Sequence, residues 1–177
     1  MRRQTLTAVL AGAMCTALVF AAIAVAQTIE GTQGNDIPLN GTEAADQIIA
    51  KKGADTVNAL GGDDKVWTGR GADIANGGLG NDTLGGKADR DDLNGDEGND
   101  FLAGGRGVDE LDGGAGDDTI KGRGDGRAAD NIVCGAGVDT VRADRRDVVP
   151  SDGTCETVER TAANAKGPTN AKGPKSG

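Results

Sequence analysis

The chain has 177 residues, of which 31 are Gly, and its 22 Asp greatly outnumber its six Glu. His and Tyr are absent, so a Ser-His-Asp or Cys-His mechanism has no base, and the sequence predicts a protein that is not an enzyme. A net charge of −9 argues against nucleic acid, which requires a basic protein surface, and favours cations as partners.

The first 26 residues are predicted to be a signal peptide for secretion. Arg2 and Arg3 provide a basic start, residues 5–26 carry no charge, and Ala24-Val25-Ala26 places small residues before the cleavage site. Removal of this segment leaves a chain without a membrane span. Because the uncharged stretch is also long enough to cross a bilayer, an uncleaved membrane anchor is the alternative.

A repeat of nine residues fills most of the remaining chain. Asp recurs at this spacing nine times, as Asp46, Asp55, Asp64, Asp73, Asp82, Asp91, Asp100, Asp109 and Asp118. In most units Gly stands two residues before this Asp. An aliphatic residue stands two residues after it, as Ile48, Val57, Val66, Leu84, Leu93, Leu102, Leu111 and Ile120. Nine residues is the period of a calcium-binding β-helix.

Each unit is predicted to form a turn over its first six positions and a strand over its last three. One buried aliphatic residue per unit cannot hold a short strand alone, so the units must stack. If two units complete a coil, the fold is an all-β parallel β-helix with coils about 4.8 Å apart. Asp64, Asp82, Asp100 and Asp118 then line one edge, and Asp55, Asp73, Asp91 and Asp109 line the other.

Carboxylates stacked along both edges predict several bound Ca²⁺ ions. Two carboxylates about 5 Å apart repel by roughly 3 kcal/mol at an effective dielectric constant of 20. A hard divalent cation removes this repulsion at neutral pH. Calcium suits the pattern better than magnesium, because it accepts six to eight carboxylate and carbonyl oxygens in irregular geometry. Gly allows positive φ angles that aim turn carbonyls at an ion.

The units at 77–85, 95–103, 104–112 and 113–121 resemble the RTX or haemolysin-type calcium-binding nonapeptide, G-G-x-G-x-D-x-U-x, in which U is a large aliphatic residue. The resemblance covers residues 31 to 142 and implies a parallel β-roll with calcium between successive turns. The implied side-chain ligands are the eight aspartates of the two edges, Asp55 to Asp118, which we call the ladder aspartates. The implied carbonyl ligands are the turn glycines Gly78, Gly80, Gly98, Gly105, Gly107, Gly114 and Gly116.

Two departures from the repeat affect the predicted site. The first unit, 31–39, has Pro38 in place of the aliphatic residue, so we expect it to cap the roll. A twelve-residue step from Asp118 to Asp130 indicates an insertion of three residues that interrupts the pairing, so Asp130 and Asp139 are left out of the ligand set. The insertion contains Arg123-Gly124-Asp125, the tripeptide that integrins recognise, which leaves adhesion as an alternative.

The C-terminal part is predicted to close the fold. Two cysteines remain after signal removal, and an even number in an exported protein predicts one disulfide, Cys134–Cys155. We divide the chain into a roll at 27–142, a disulfide-closed cap at 143–160 and a disordered basic tail at 161–177, which has a possible contact with the anionic cell envelope.

These observations predict a secreted, monomeric calcium-binding protein whose repeats fold around the ions and act as a structural or interaction module. Two alternatives stay open. One is an adhesive or ice-binding surface, although the outward position after the ladder aspartate is mixed rather than a regular Thr column. The other is an accessory remnant of an RTX enzyme.

Overall fold

A computed structural model describes residues 25–122, 128–151 and 154–160, and these segments contain strands and no helix. Among these residues there is accordingly no helix able to span a membrane. Most of the predicted signal peptide, the Arg123-Gly124-Asp125 tripeptide and the predicted tail at 161–177 lie outside the described residues.

Fourteen strands form two parallel sheets in the described part of the chain. The first sheet contains, in spatial order, β1 (Thr28–Glu30), β3 (Gln47–Lys52), β5 (Lys65–Arg70), β7 (Thr83–Ala88), β9 (Phe101–Arg106), β11 (Thr119–Lys121), β13 (Thr140–Ala143) and β14 (Thr157–Arg160). The second contains β12 (Asn131–Val133), β10 (Glu110–Asp112), β8 (Asp92–Glu97), β6 (Ile74–Leu79), β4 (Thr56–Asn58) and β2 (Leu39–Asn40).

Two units complete one coil, as predicted. Leu84 pairs with Leu102 in the first sheet, and Ala75 pairs with Leu93 in the second, so that each residue lies opposite its equivalent two units later. The chain therefore crosses from one sheet to the other at every turn, and the predicted parallel β-roll is confirmed. We number the positions of each unit from 1 to 9, with the ladder aspartate at position 6.

A column of single aliphatic side chains at position 8 forms the core. All of the following are fully buried: Ile48, Val57, Val66, Leu84, Leu93, Leu102, Leu111 and Ile120. Position 1 also faces inward and holds small residues, such as Ala50, Ala59 and Thr68. The two sheets are joined by short turns, so the space between them accommodates one large side chain per unit.

The central strands are longer than the sequence predicts. β3, β5, β6, β7, β8 and β9 each have six residues, because they continue into positions 1–3 of the next unit. Stacked coils follow the same backbone path, so inter-strand hydrogen bonds continue past the bend at position 2. The Leu79 amide, for example, donates to the Leu60 carbonyl (2.9 Å).

The first unit corrects one sequence expectation. Pro38 does not occupy the aliphatic column, because Leu39 pairs with Val57 and is 8 % exposed. The ten-residue step from Asp36 to Asp46 adds one residue, which moves the next apolar side chain into the core. The core column thus begins one unit earlier than Pro38 suggested.

A disulfide joins Cys134 to Cys155, with a Cα–Cα distance of 5.4 Å, as predicted. Cys134 is fully buried after β12, and Cys155 packs against the same core just before β14. β14 pairs with β13 in register, from Thr140 opposite Thr157 onward. The crosslink therefore fastens the last strand of the first sheet to the preceding coil.

Gly98 provides a test of the turn geometry. It has a φ of 134°, and a Cβ added there would clash with the Gly80 carbonyl oxygen of the adjacent coil. We expect Gly98→Ala to destabilise the protein by about 2 kcal/mol or more, from left-handed strain and overpacking. Gly34→Ala is the control, because a Cβ at Gly34 meets no atom within 4 Å. Thermal unfolding in calcium measures both, and equal melting temperatures would contradict the stacked-turn geometry.

Candidate metal centre

The ladder aspartates lie in the turns along the two edges of the roll, each directly before a strand. The aspartates of the first edge precede strands of the first sheet, and they are Asp64, Asp82, Asp100 and Asp118. The aspartates of the second edge precede strands of the second sheet, and they are Asp55, Asp73, Asp91 and Asp109. Each has at most 2 % of its surface exposed. Stacking buries them, because each carboxyl contacts the turn of the adjacent coil.

One carboxylate oxygen of each ladder aspartate is used to join two coils. On the first edge, the Asp82 amide donates to Asp100 Oδ1 (2.7 Å), and the Asp100 amide donates to Asp118 Oδ1 (2.8 Å). On the second edge, the Asp73 amide donates to Asp91 Oδ1 (3.2 Å). Oδ1 therefore links adjacent coils, and Oδ2 is the carboxylate oxygen that is left to bind a ligand.

Oδ2 is buried and has no hydrogen-bond partner in most of the ladder. This holds for Asp55, Asp64, Asp82, Asp91, Asp100 and Asp118. A buried carboxylate oxygen without a donor or a cation costs several kcal/mol, and native proteins rarely leave one unpaired. Six such atoms in two rows indicate that a ligand outside the polypeptide completes them.

The N-terminal end of the roll provides an internal contrast. Asp46 occupies the same position 6, but its Oδ2 accepts hydrogen bonds from the Thr42 amide (2.6 Å) and hydroxyl (2.9 Å). Asp36 is paired in the same way with the Thr32 amide (2.6 Å). Thr at position 2 thus closes these turns with protein atoms, whereas the six ladder aspartates named above have no such donor.

A main-chain carbonyl approaches Oδ2 in the ladder units whose position 1 is Gly, those of Asp82, Asp91, Asp100 and Asp118. A Cβ added at Gly95 would meet both Asp100 Oδ2 and the Gly113 carbonyl oxygen, and one added at Gly86 would meet Asp91 Oδ2 and the Gly104 carbonyl oxygen (2.6 Å). Two hard oxygen donors therefore face one small space, kept open because position 1 lacks a side chain. This donor set fits a calcium ion.

The predicted carbonyl ligands have the expected backbone conformation. Gly78, Gly80, Gly98, Gly105, Gly107, Gly114 and Gly116 all have positive φ, between 102° and 155° except for 96° at Gly114. The Gly114 carbonyl accepts the Ala136 amide (2.8 Å), so it is used in the ladder between coils. The carbonyls that face Oδ2 belong instead to position 1 of the following coil, as in Gly95, Gly104, Gly113 and Cys134. In the sequence, these carbonyls are indicated only by the small residue that recurs at position 1.

Side chains alone do not form a metal site here. Among the described residues, no group of three or more Asp, Glu, Cys or His side chains is arranged to hold an ion. An ion at either edge must therefore take several of its ligands from the main chain, which calcium accepts more readily than most divalent cations.

Burial raises the pKa of the ladder carboxyls in the calcium-free fold. It raises the pKa of Asp91 to about 8, and the adjacent carboxylates Asp109 and Asp73 act in the same direction, against the hydrogen bond from the Asp73 amide. Burial likewise raises the pKa of Asp64 and Asp100 to about 7 and that of Asp118 to about 6. Without a cation, Asp64, Asp91 and Asp100 therefore retain much of their proton at pH 7, whereas Asp118, with a pKa of about 6, is mostly ionised there.

The sign of the pH dependence follows from these raised pKa values. Between the ordinary carboxyl pKa near 4 and the folded values of about 6 to 8, the folded roll binds protons that the unfolded chain has released. Without calcium, stability should therefore be greatest below this range and fall as pH rises through it. With calcium present, affinity should increase over the same interval, because the ion displaces the protons.

Urea unfolding in a chelator at pH 5, 6, 7 and 8 measures the first effect. Calcium titration in buffers with different ionisation enthalpies measures proton release. Stability that increased with pH in the chelator would show that these carboxyls are already ionised and hydrated in the calcium-free fold.

The insertion before Asp130 does not interrupt the ladder, contrary to the sequence expectation. The Asp109 amide donates to Asp130 Oδ1 (3.0 Å), and the Asp118 amide donates to Asp139 Oδ1 (2.8 Å). Leu111 also stays paired with Ile132. The coil is lengthened by the inserted residues while the stacked positions are retained, so Asp130 and Asp139 extend the two edges.

Two further polar columns were not found from the sequence. On the second sheet, Asn58 Nδ2 donates to Asn40 Oδ1 (3.1 Å), and Asn76 Nδ2 donates to Asn58 Oδ1 (3.0 Å). On the first edge, Asn81 Oδ1 accepts the Asn99 amide (2.9 Å), and Asn99 Oδ1 accepts the Asp117 amide (2.7 Å). Both columns recur once per coil, every 18 residues, so a search for a nine-residue period does not detect them.

Comparison with known families agrees with this geometry. The family model for the RTX calcium-binding nonapeptide repeat matches residues 40–75, 50–84 and 85–120. No curated protein matches the chain significantly. The matched segments cover all eight ladder aspartates and both edges of the central coils. The chain therefore carries several copies of the RTX calcium-binding nonapeptide repeat.

Proposed function

We propose that this protein is an exported calcium-binding module whose roll is held together by ions along both edges. The observation that carries the proposal is the pair of rows of buried Oδ2 atoms without a partner, of which those of Asp82, Asp91, Asp100 and Asp118 face a main-chain carbonyl across a glycine. RTX repeats are calcium-binding, so family and geometry support the same ion.

The ligands we assign are the ladder aspartates and main-chain carbonyls of the turns. Asp82, Asp100 and Asp118 are linked in series by their amide-to-Oδ1 hydrogen bonds, so each carboxyl belongs to two neighbouring turns. Asp73 and Asp91 are linked in the same way on the second edge. The bound ion supplies positive charge between these turns. The protein orients the oxygen atoms and excludes water from them.

Calcium is preferred over magnesium on the chemistry of this donor set. Oδ1 is already engaged, so each carboxylate offers Oδ2, and the remaining oxygens must come from main-chain carbonyls on separate coils. Magnesium requires a near-ideal octahedron at about 2.0–2.1 Å and retains its waters, whereas calcium accepts irregular sets of six to eight oxygens.

Export is supported by two features. The N-terminal sequence has the pattern of a signal peptide, and the Cys134–Cys155 disulfide is stable only in an oxidising compartment. Calcium concentrations outside cells also suit a protein whose folding depends on the ion. We assign no catalytic activity, because the repeats occupy most of the chain and the RTX roll is a structural module.

Calorimetric titration of the purified protein tests the proposal. Calcium should bind with a stoichiometry of several ions per chain, and magnesium at the same concentration should give little heat and leave calcium binding intact. A single ion per chain would contradict the rows of sites along the two edges. An equal response to the two metals would mean that diffuse negative charge rather than the ladder attracts the ion.

A further inference from the structure

The two sheets of the roll carry opposite charge on their outer faces. Strands of the first sheet contain nine Lys or Arg and two Glu, whereas strands of the second contain five Asp or Glu and no Lys or Arg. We call the two outer faces the basic face and the acidic face. Because consecutive units alternate between sheets, this separation is hidden in the linear sequence, in which the two sets are interleaved.

Most cations of the basic face have no acidic partner. Among the described residues, Lys51 pairs with Glu30 and Arg142 pairs with Glu159. Lys52, Arg70 and Arg106 are exposed at position 3 of β3, β5 and β9 and form no salt bridge within the described segments. On the acidic face, the nearest cation is Arg90, whose guanidinium lies 3.8 Å from Glu110 at the margin.

Charged residues are retained on both faces where the backbone favours glycine. Position 2 has positive φ in the units from Lys51 to Gly114, where it holds Lys51 (88°) and Lys87 (81°) on the basic face, Asp96 (70°) on the acidic face, and also the apolar Leu60 (82°). A non-glycine residue in this conformation costs roughly 1–2 kcal/mol. Strain of this kind is retained where the side chain serves a function, and at three of these four positions it adds charge of the same sign as the rest of its face.

Each face also exposes apolar side chains among its charges. Trp67 lies across Gly85 on the basic face, with its Cδ1 3.2 Å from the place of a Cβ there. On the acidic face, Leu60, Ile74 and Leu79 are 44 %, 45 % and 52 % exposed. Apolar residues surrounded by charged ones are the arrangement found in protein–protein interfaces.

We infer that copies of this chain stack face to face, with the basic face of one on the acidic face of the next. The complementary partner is present on the same molecule, which favours a second copy over a foreign ligand. The strands of the second sheet total 23 residues and those of the first 38, so at about 3.3 Å per residue and 4.8 Å between strands the smaller face covers roughly 400 Å², the size of a weak and reversible contact. Each contact leaves one face of each type free, so the assembly is open-ended.

This inference rests on the proposed function, because the faces exist only in the folded roll. Sedimentation velocity is therefore performed in calcium after circular dichroism has shown a folded protein. The weight-average sedimentation coefficient should increase with protein concentration at low salt and return to the monomer value at 0.5 M salt, where the Debye length is only about 4 Å. A chain that fails to fold in calcium would contradict the proposed function rather than the stacking.

Charge reversal separates stacking from other forms of association. One triple variant carries Lys52→Glu, Arg70→Glu and Arg106→Glu. The matched variant carries Asp92→Lys, Glu97→Lys and Glu110→Lys, and all six positions are exposed on strands. Each variant alone should associate about ten-fold more weakly, or not at all, because like charges meet. An equimolar mixture of the two variants, or the six-fold variant that exchanges both faces, should associate again.

Three results would overturn the inference. The first is a folded wild-type protein that stays monomeric at every concentration and salt. The second is a pair of triple variants that associate as strongly as the wild type. The third is a monomeric protein whose basic face binds a polyanion such as heparin with a loss in the Lys52, Arg70 and Arg106 variant, which would assign that face to a foreign polymer.

Discussion

Removal of calcium at pH 8 is expected to unfold most of the roll. The core consists of one aliphatic side chain per unit, whereas each central unit also buries a carboxyl group. At this pH Asp64, Asp100 and Asp118 lose their protons if the fold is kept, since burial raises their pKa only to about 7, 7 and 6, and Asp91, with a pKa raised to about 8, is about half ionised. Adjacent charges then repel by roughly 3 kcal/mol per pair at an effective dielectric constant of 20. This repulsion exceeds what a thin core supplies.

Circular dichroism in a chelator measures the effect. The β signal should be largely lost at pH 8, return on addition of excess calcium, and be better retained in the chelator at pH 5, where the carboxyls are neutral. Excess magnesium in place of calcium is the control and should restore little of the signal. A spectrum at pH 8 that is identical with and without chelator would show that the ions do not hold the fold together.

The second large effect is expected from Asp91→Asn compared with Asp92→Asn. These neighbours lose the same charge, but Asp91 is fully buried in the ladder and Asp92 is exposed on the acidic face. Asn at position 91 keeps an oxygen to accept the Asp73 amide and replaces the free Oδ2 with an amide group that cannot bind a cation. Asp92→Asn leaves both edges unchanged.

The Asp91 variant should behave oppositely in the two conditions. In calcium it should bind fewer ions and need at least about ten-fold more calcium to fold, equivalent to about 1.4 kcal/mol. In chelator at pH 8 it should retain more β signal than the wild type, because a buried repulsive charge has been removed. Calcium titrations followed by calorimetry and circular dichroism measure both. Equal behaviour of the two variants would assign the effect to net charge.

The fold could be predicted from the sequence because the nine-residue repeat that is visible in the sequence also determines how the coils stack. Aspartate at position 6 and an aliphatic residue at position 8 place one side chain in the turn and one in the core, and Leu84 and Leu102 pair as this register requires. Disulfide pairing was equally accessible, since Cys134 and Cys155 are the two cysteines left after signal removal.

What escaped prediction depends on how stacked coils tolerate irregularity. Leu39 reaches the core despite an extra residue, and Asp130 stays in the ladder despite a longer coil, because stacking selects positions by backbone hydrogen bonds rather than by spacing in the chain. The position 1 carbonyls, as in Gly113, were missed because a main-chain donor leaves no mark except the small size of its residue. The charge of the two faces appears only when units are sorted by sheet.

Alternation between the sheets also constrains how such a chain is able to grow. A tandem duplication of two units adds a whole coil, and every residue downstream stays on its original sheet. A duplication of a single unit shifts the parity of all later units, so that Phe101 and Lys121 would exchange sheets with Asp92 and Glu110 and the charge segregation would be lost. Insertion of an even number of repeats therefore preserves the charge of both faces. Insertion of a single repeat mixes acidic and basic residues on both faces at once.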